Sequence, residues 1–250
     1  MSKLSQKIAR ASRVEPPPMG FGHVAASKRS PTMLLLARLS AGERRRLEEL
    51  SSNGVDVALV EGNRVEDITF DKQSEGELII GGVLSQVTRQ AAKAAREAGL
   101  DFLVLKADSA ADTLLEEGIG LVLAIQEDVS DTFLRTLEGL PLDALLLPPL
   151  QEPLTVQKQL ELRRLVILSR RPLFLELDRE IDSAQLEVLR SAGVAGIVVS
   201  GRRGQELVGA LRKLIDSLPM PKRRREEKKD ALLPLPASTR PPTDDEEDED

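Results

Sequence analysis

Residues 183–218 read SAQLEVLRSAGVAGIVVSGRRGQELVGALRKLIDSL, and their pattern decides the fold. At the centre lies the apolar run Ala195–Val199, continuous rather than alternating, as expected of a parallel strand covered on both faces. In front of it Ser183–Ala192 has helical periodicity and is closed by Gly193, a residue suited to ending a helix. Behind it, after the polar turn 200–204, Leu207, Val208, Leu211, Leu214, Ile215 and Leu218 form one stripe with Arg212, Lys213 and Asp216 opposite. Helix, buried strand, helix is the repeating unit of a parallel α/β protein.

The same rhythm extends upstream. Apolar runs occur at Met33–Leu39, Val55–Val60, Phe102–Leu105, Leu121–Ile125, Ala144–Leu147 and Leu173–Leu177, each followed by a polar turn. Helical segments are predicted at Gly42–Ser52, Val83–Ala98, Ser109–Glu117, Ser130–Glu138 and Pro153–Leu168. Gly54, Gly99 and Gly118 punctuate the units as Gly193 does. Right-handed crossovers leave two architectures, an open doubly wound sheet and a closed barrel. The open form usually carries a G-x-G-x-x-G turn after its first strand, but this chain has Arg38-Leu39-Ser40-Ala41-Gly42-Glu43. A TIM-like (β/α) barrel of seven to eight strands is therefore predicted for residues 31–218. An eighth strand has to come from 63–82, where Ile68–Phe70 and Leu78–Ile80 flank the turn-like Lys72–Gly76; a hairpin inserted there leaves seven strands.

Residues 1–30, with six basic and one acidic side chain and Pro16-Pro17-Pro18, read as a flexible basic arm. Residues 219–250 combine KRRREEKK, LLPLP and DDEEDED and read as a disordered, charged, proline-rich tail.

Asp101-Phe-Leu-Val-Leu-Lys-Ala-Asp108, and Gly193-Val-Ala-Gly-Ile-Val-Val-Ser-Gly201 followed by an amphipathic helix, resemble the aldolase-type and phosphate-binding TIM barrels. The resemblance covers most of residues 31–218 and is one of rhythm, as in a short or degenerate member without a recognisable catalytic signature. It implies a ligand phosphate at the last strands and a lysine or acid–base pair at strand ends. No D-x-K-x-x-D surrounds Lys106, and Glu176-Leu177-Asp178 lacks the lysine of Schiff-base aldolases.

In such a barrel, function sits where strands end and their following loops begin. Those ends carry Arg38 and Ser40, Glu61 and Asn63, Lys106 and Asp108, Gln126 to Asp128, Pro148 and Pro149, Glu176 and Asp178, and Ser200 to Gly204. Ser200, Gly201, Arg202, Arg203 and Gly204 precede the last helix, where free N–H groups, small residues and a forked guanidinium suit an anion. Lys106 and Glu176 are the catalytic candidates, a desolvated amine and a proton-transfer carboxyl, with a rim ion pair to Asp108 as the simpler role for Lys106. Glu127, Asp128, Glu176 and Asp178 offer oxygen ligands for Mg²⁺, yet Asp128 or Ser130 also serves as a helix N-cap, so no metal is assigned.

Composition narrows the functions further. The 250 residues contain no Cys and one His, His23, which removes disulfides, thiolate metal sites and intrachain metal sites that need two or more histidines. With no Trp or Tyr, a net charge of −6 and DDEEDED competing for Lys222–Arg225, a nucleic-acid role is disfavoured. The start, MSKLSQKIARAS, has no apolar run of signal-peptide length, no stretch approaches 18 uncharged apolar residues, and a cytoplasmic protein without membrane contact is expected. The expected role is binding of a small ligand or partner on a degenerate barrel. The alternative is a lyase or isomerase acting on a small phosphorylated metabolite. A protein partner is expected through the charged tails, and the identity of any cofactor is unknown from the residues.

Overall fold

The computed structural model describes residues 2–12, 32–68, 78–150, 153–201 and 205–219. Eight parallel strands, β1 (Leu34–Ser40), β2 (Val57–Gly62), β3 (Ile79–Leu84), β4 (Phe102–Leu105), β5 (Gly120–Ala124), β6 (Ala144–Leu147), β7 (Leu173–Leu177) and β8 (Val194–Ser200), close in chain order into a barrel. Closure comes from β8 pairing with β1, Leu34 opposite Gly196 and Arg38 opposite Ser200. The seven apolar runs are strands, and the eighth strand is β3. The 63–82 interval is no hairpin in its described part: Val65–Ile68 is a 3-10 turn, and the strand begins at Ile79.

Two readings at this point need correction. The helix predicted from Val83 begins at Arg89, because Val83 and Leu84 continue β3 and Thr88 caps the helix by accepting the N–H of Ala91. Ser109–Glu117 holds only the 3-10 turn Ala111–Leu115. Short connections of this kind are how 188 residues, fewer than the ~200 usual for this architecture, still complete eight units. The remaining helices are α2 (Leu47–Ser52), α3 (Arg89–Glu97), α4 (Asp131–Thr136), α5 (Val156–Ser169), α6 (Ser183–Ala192) and α7 (Gln205–Ser217).

Strand residues alternate between two apolar layers. Leu35, Leu103, Leu145 and Val199 face the helices, whereas Leu36, Val57, Phe102, Leu146 and Phe174 fill the barrel. Both faces are dry, which is why the runs are continuous in sequence. The interior accommodates its two phenylalanines with glycines: a Cβ at Gly81 would overlap the Phe102 ring, and one at Gly196 would lie 2.7 Å from Leu36 Cδ1 and 2.9 Å from Phe174 Cδ1.

Residues 3–12 of the expected arm are helical. They form α1 (Lys3–Ser12), which stoppers the end of the barrel where the strands begin, with Leu4 and Ile8 buried in the interior cluster. Leu4 and Ile8 are one turn apart, so a single helical face enters the barrel while Gln6 and Arg10 face water. Three aspartates just ahead of even-numbered strands hold it. Ser2 Oγ donates to Asp143 at 2.6 Å, Lys3 Nζ lies 3.1 Å from Asp101, and Lys7 Nζ lies 3.3 Å from Asp56. Asp56 also accepts the Leu35 N–H (2.9 Å) and pairs with Arg212 of α7 (3.0 Å), which ties helix, strand and stopper together. The rest of the proposed arm and the proposed tail beyond Pro219 lie outside the described residues.

Candidate functional site

The inward-facing positions follow a period of two, and near the mouth they change character. Leu34 and Leu36 lead to Arg38, Val57 and Leu59 to Glu61, Phe174 to Glu176, and Val198 to Ser200. Apolar filling therefore gives way to charge in the last inward position of several strands. Arg38 stands between two carboxylates: its Nη1 donates to Glu61 at 3.0 Å and its Nη2 donates to Glu176. Its Nε–H is buried with no hydrogen-bond partner among the described residues.

The two carboxylates occupy different surroundings. Glu61 is 43% exposed and Glu176 21%. Burial pushes the Glu176 carboxyl above its usual range; the charge of Arg38 opposes that push, the charge of Glu61 adds to it, and the Arg38 hydrogen bond opposes it.

Beside the triad a cavity of about 900 Å³ opens at the mouth, lined by Ser40, Glu61, Asn63, Asp67, Ser85 and Lys106. Asn63 and Arg64 donate backbone N–H groups to Asp67 at 3.0 and 2.9 Å, and Ser85 donates to Asn63 at 2.8 Å, so much of this wall is internally braced.

The predicted site residues separate into three groups. Glu176 and Ser200 adjoin Arg38, Glu176 by hydrogen bond and Ser200 by register. Gly201 donates its N–H to the Arg38 carbonyl at 2.7 Å, and its lack of a side chain is required because a Cβ would overlap Leu39. Lys106 is exposed in the cavity wall with Glu61, and its backbone N–H is capped by Ser109 Oγ at 2.9 Å. Arg202, Arg203 and Gly204 lie outside the described residues. The oxygen-ligand quartet is not assembled. Glu127 is taken by the buried Lys158 of α5, whose ammonium is held above its usual pKa first by that hydrogen bond, and no group of three metal-ligating side chains occurs among the described residues. Ser130 is the N-cap of α4, accepting the Phe133 N–H at 3.2 Å.

Arg38 and Glu61 appear among the strand ends in the sequence, but not as partners. Extending the inward alternation two residues past Leu36, Leu59 and Phe174 finds all three members of the triad.

No protein-family model matches the chain, and neither does any curated protein. Solved structures do. A tryptophan synthase from M. tuberculosis in its aminoacrylate-bound form superposes with a TM-score of 0.57 at 13% identity, over 86% of this chain and 98% of that one. A mutant tryptophan synthase alpha-subunit from Pyrococcus furiosus gives 0.55 at 15%, over 74% and 97%. An HpcH/HpaI aldolase from Desulfitobacterium hafniense gives 0.56 at 13%, over 75% and 94%. At these identities the likeness shows the fold, and it agrees with the aldolase-type TIM barrel that the sequence resembles.

Proposed function

We propose that this chain binds a small phosphorylated metabolite at the C-terminal mouth of its barrel. The observation that carries the reading is Arg38, held between Glu61 and Glu176 in an interior otherwise filled by aliphatic and aromatic groups. Charges taken out of water are costly, and apolar residues of similar size would fill this layer more stably, so their presence at the functional face argues for a ligand. The adjoining cavity falls within the usual range for a small-molecule site, and its hydroxyl, amide, carboxylate and ammonium groups suit a polyhydroxylated or amino compound. In this reading the ligand's phosphate is taken by Ser200, Gly201, Arg202, Arg203 and Gly204. The register of Ser200 with Arg38 supports the assignment, since it starts that turn beside the triad.

The reading includes a cytoplasmic location, in keeping with a chain that has no cysteine, and a protein partner at the charged C-terminal segment. No helix among the described residues is long and apolar enough to cross a membrane.

The test is a thermal-shift and calorimetric titration with inorganic phosphate, sugar phosphates and the matching unphosphorylated sugars. Phosphorylated compounds should bind, and Arg202→Ala with Arg203→Ala should weaken them by on the order of 1.5 to 3 kcal/mol per charged hydrogen bond lost. Equal binding of the unphosphorylated compounds, or full affinity in the double variant, would reject the anion site.

A second reading, a lyase or isomerase on the same ligand class, is favoured by one observation. Burial holds the Glu176 carboxyl up while a second carboxylate shares its guanidinium, an arrangement that divides proton donor from acceptor. Lys106 is the amine within the same mouth. Turnover of a bound phosphorylated compound that disappears in Glu176→Gln while binding persists would establish it.

A further inference from the structure

Helix α5 is apolar on the side where a surface helix should be polar. Leu162 and Leu165 face the core, yet Val156 is 75% exposed and Leu160 and Ile167 are each 61% exposed. Steps of four and seven residues put all three within about 40° of arc, one stripe along the outer surface. Arg163 shares that stripe, and Arg135 is exposed on α4, the helix packed beside it. Neither arginine has a partner among the described residues. Such a face calls for a cover that is apolar and acidic at once. A second copy meeting it about a two-fold axis would set Arg163 against Arg163, a like-charge contact.

We propose that the cover is the chain's own C-terminal segment, residues 231–250, with Leu232, Leu233 and Leu235 on the α5 stripe and the acidic run 244–250 against Arg135 and Arg163. The composition is complementary: LLPLP is followed by DDEEDED. The exit point is favourable too. Pro219, the last described residue, is held through its carbonyl by Arg190 of α6, and Gly193 at the end of α6 packs against Val166 of α5. Pro219 thus lies about two helix spacings, roughly 20 Å, from the stripe, across α6. Leu232 is 13 residues further on, a contour of about 45 Å, which spans that gap with slack. Tethering gives the segment an effective concentration in the millimolar range, so an individually weak apolar contact suffices.

The absence of cysteine makes the test clean. Ser238→Cys in the full chain carries a nitroxide, and methyl resonances are followed by NMR. Docking predicts loss of the Val156, Leu160 and Ile167 methyl signals while exposed Leu115 keeps its own, with recovery in high salt and in Leu160→Ser plus Arg163→Glu at unchanged Tm. Uniformly sharp signals, or broadening centred elsewhere, overturn the proposal. So does broadening that also appears when spin-labelled and isotope-labelled chains are mixed, because the occupant is then a second copy's segment.

Discussion

Replacing Leu4 with alanine isolates what the docking of α1 is worth. Leu4 is fully buried among the barrel-filling side chains although it is only the fourth residue of the chain. Losing three buried carbons removes about 2.4 kcal/mol of transfer free energy at ~0.8 kcal/mol each. The cavity left against the interior adds to this, giving about 2.5 to 4 kcal/mol in line with other buried Leu→Ala changes. For a body of this size that corresponds to a fall in Tm of roughly 5–16 °C. The chain has no Trp or Tyr, so urea unfolding is followed by far-ultraviolet circular dichroism. Arg10→Ala, on the exposed side of the same helix, is the control and should stay within about 0.5 kcal/mol of the parent. Equal, small effects of the two substitutions would mean that Leu4 contributes nothing to the barrel, and the stopper would be refuted.

Two further outcomes follow from the interior and the mouth. Gly81→Ala forces a methyl into the Phe102 ring and should cost about 1–3 kcal/mol; Phe102→Leu in the same chain should recover part of it, and strict additivity of the two changes would refute the close packing. Because burial raises the folded-state pKa of Glu176, the native state holds a proton there that the unfolded chain has released, so wild-type stability should fall as pH rises from the ordinary carboxylate range through the elevated folded value. Glu176→Gln removes that titration, and its stability relative to wild type should rise across the same window in denaturant melts; a relative fall would show that the Arg38 bond dominates and lowers the carboxyl's pKa.

The barrel was legible in sequence because its signal is local: buried strands are continuous apolar runs, and Gly54, Gly99, Gly118 and Gly193 all adopt positive φ at the punctuation points. Strand β3 was less so. Its Gly81-Gly82 pair resembles a turn, and only the rings and methyls that fill the vacant space, Phe102, Leu103 and Ile68, explain two glycines inside a strand. Helix α1 gave only the weak helical spacing of Leu4, Ile8 and Ala11, for another reason. Ten residues with two buried apolar side chains carry little intrinsic helicity, and the surface that stabilises them is assembled from positions 56, 101 and 143. Arg38 and Glu176 are 138 residues apart, so their pairing depends on the barrel closing between β1 and β8. The individual charges at the mouth can be read from strand ends, but not their partnership.

The three aspartates beneath the barrel also set an order of events for the growing chain. The first dozen residues leave the ribosome before any of the acceptors exist, and their contacts bridge from Lys7 to Asp56, from Lys3 to Asp101 and from Ser2 across 141 residues to Asp143. A helix this short gains little by forming alone, and such distant contacts are made only after the intervening strands have associated. A segment synthesised ahead of the barrel is therefore among the last to settle. Its arrival reports that β2, β4 and β6 have taken their places, so protection of the Ile8 amide from hydrogen exchange is a timer for completion of the fold.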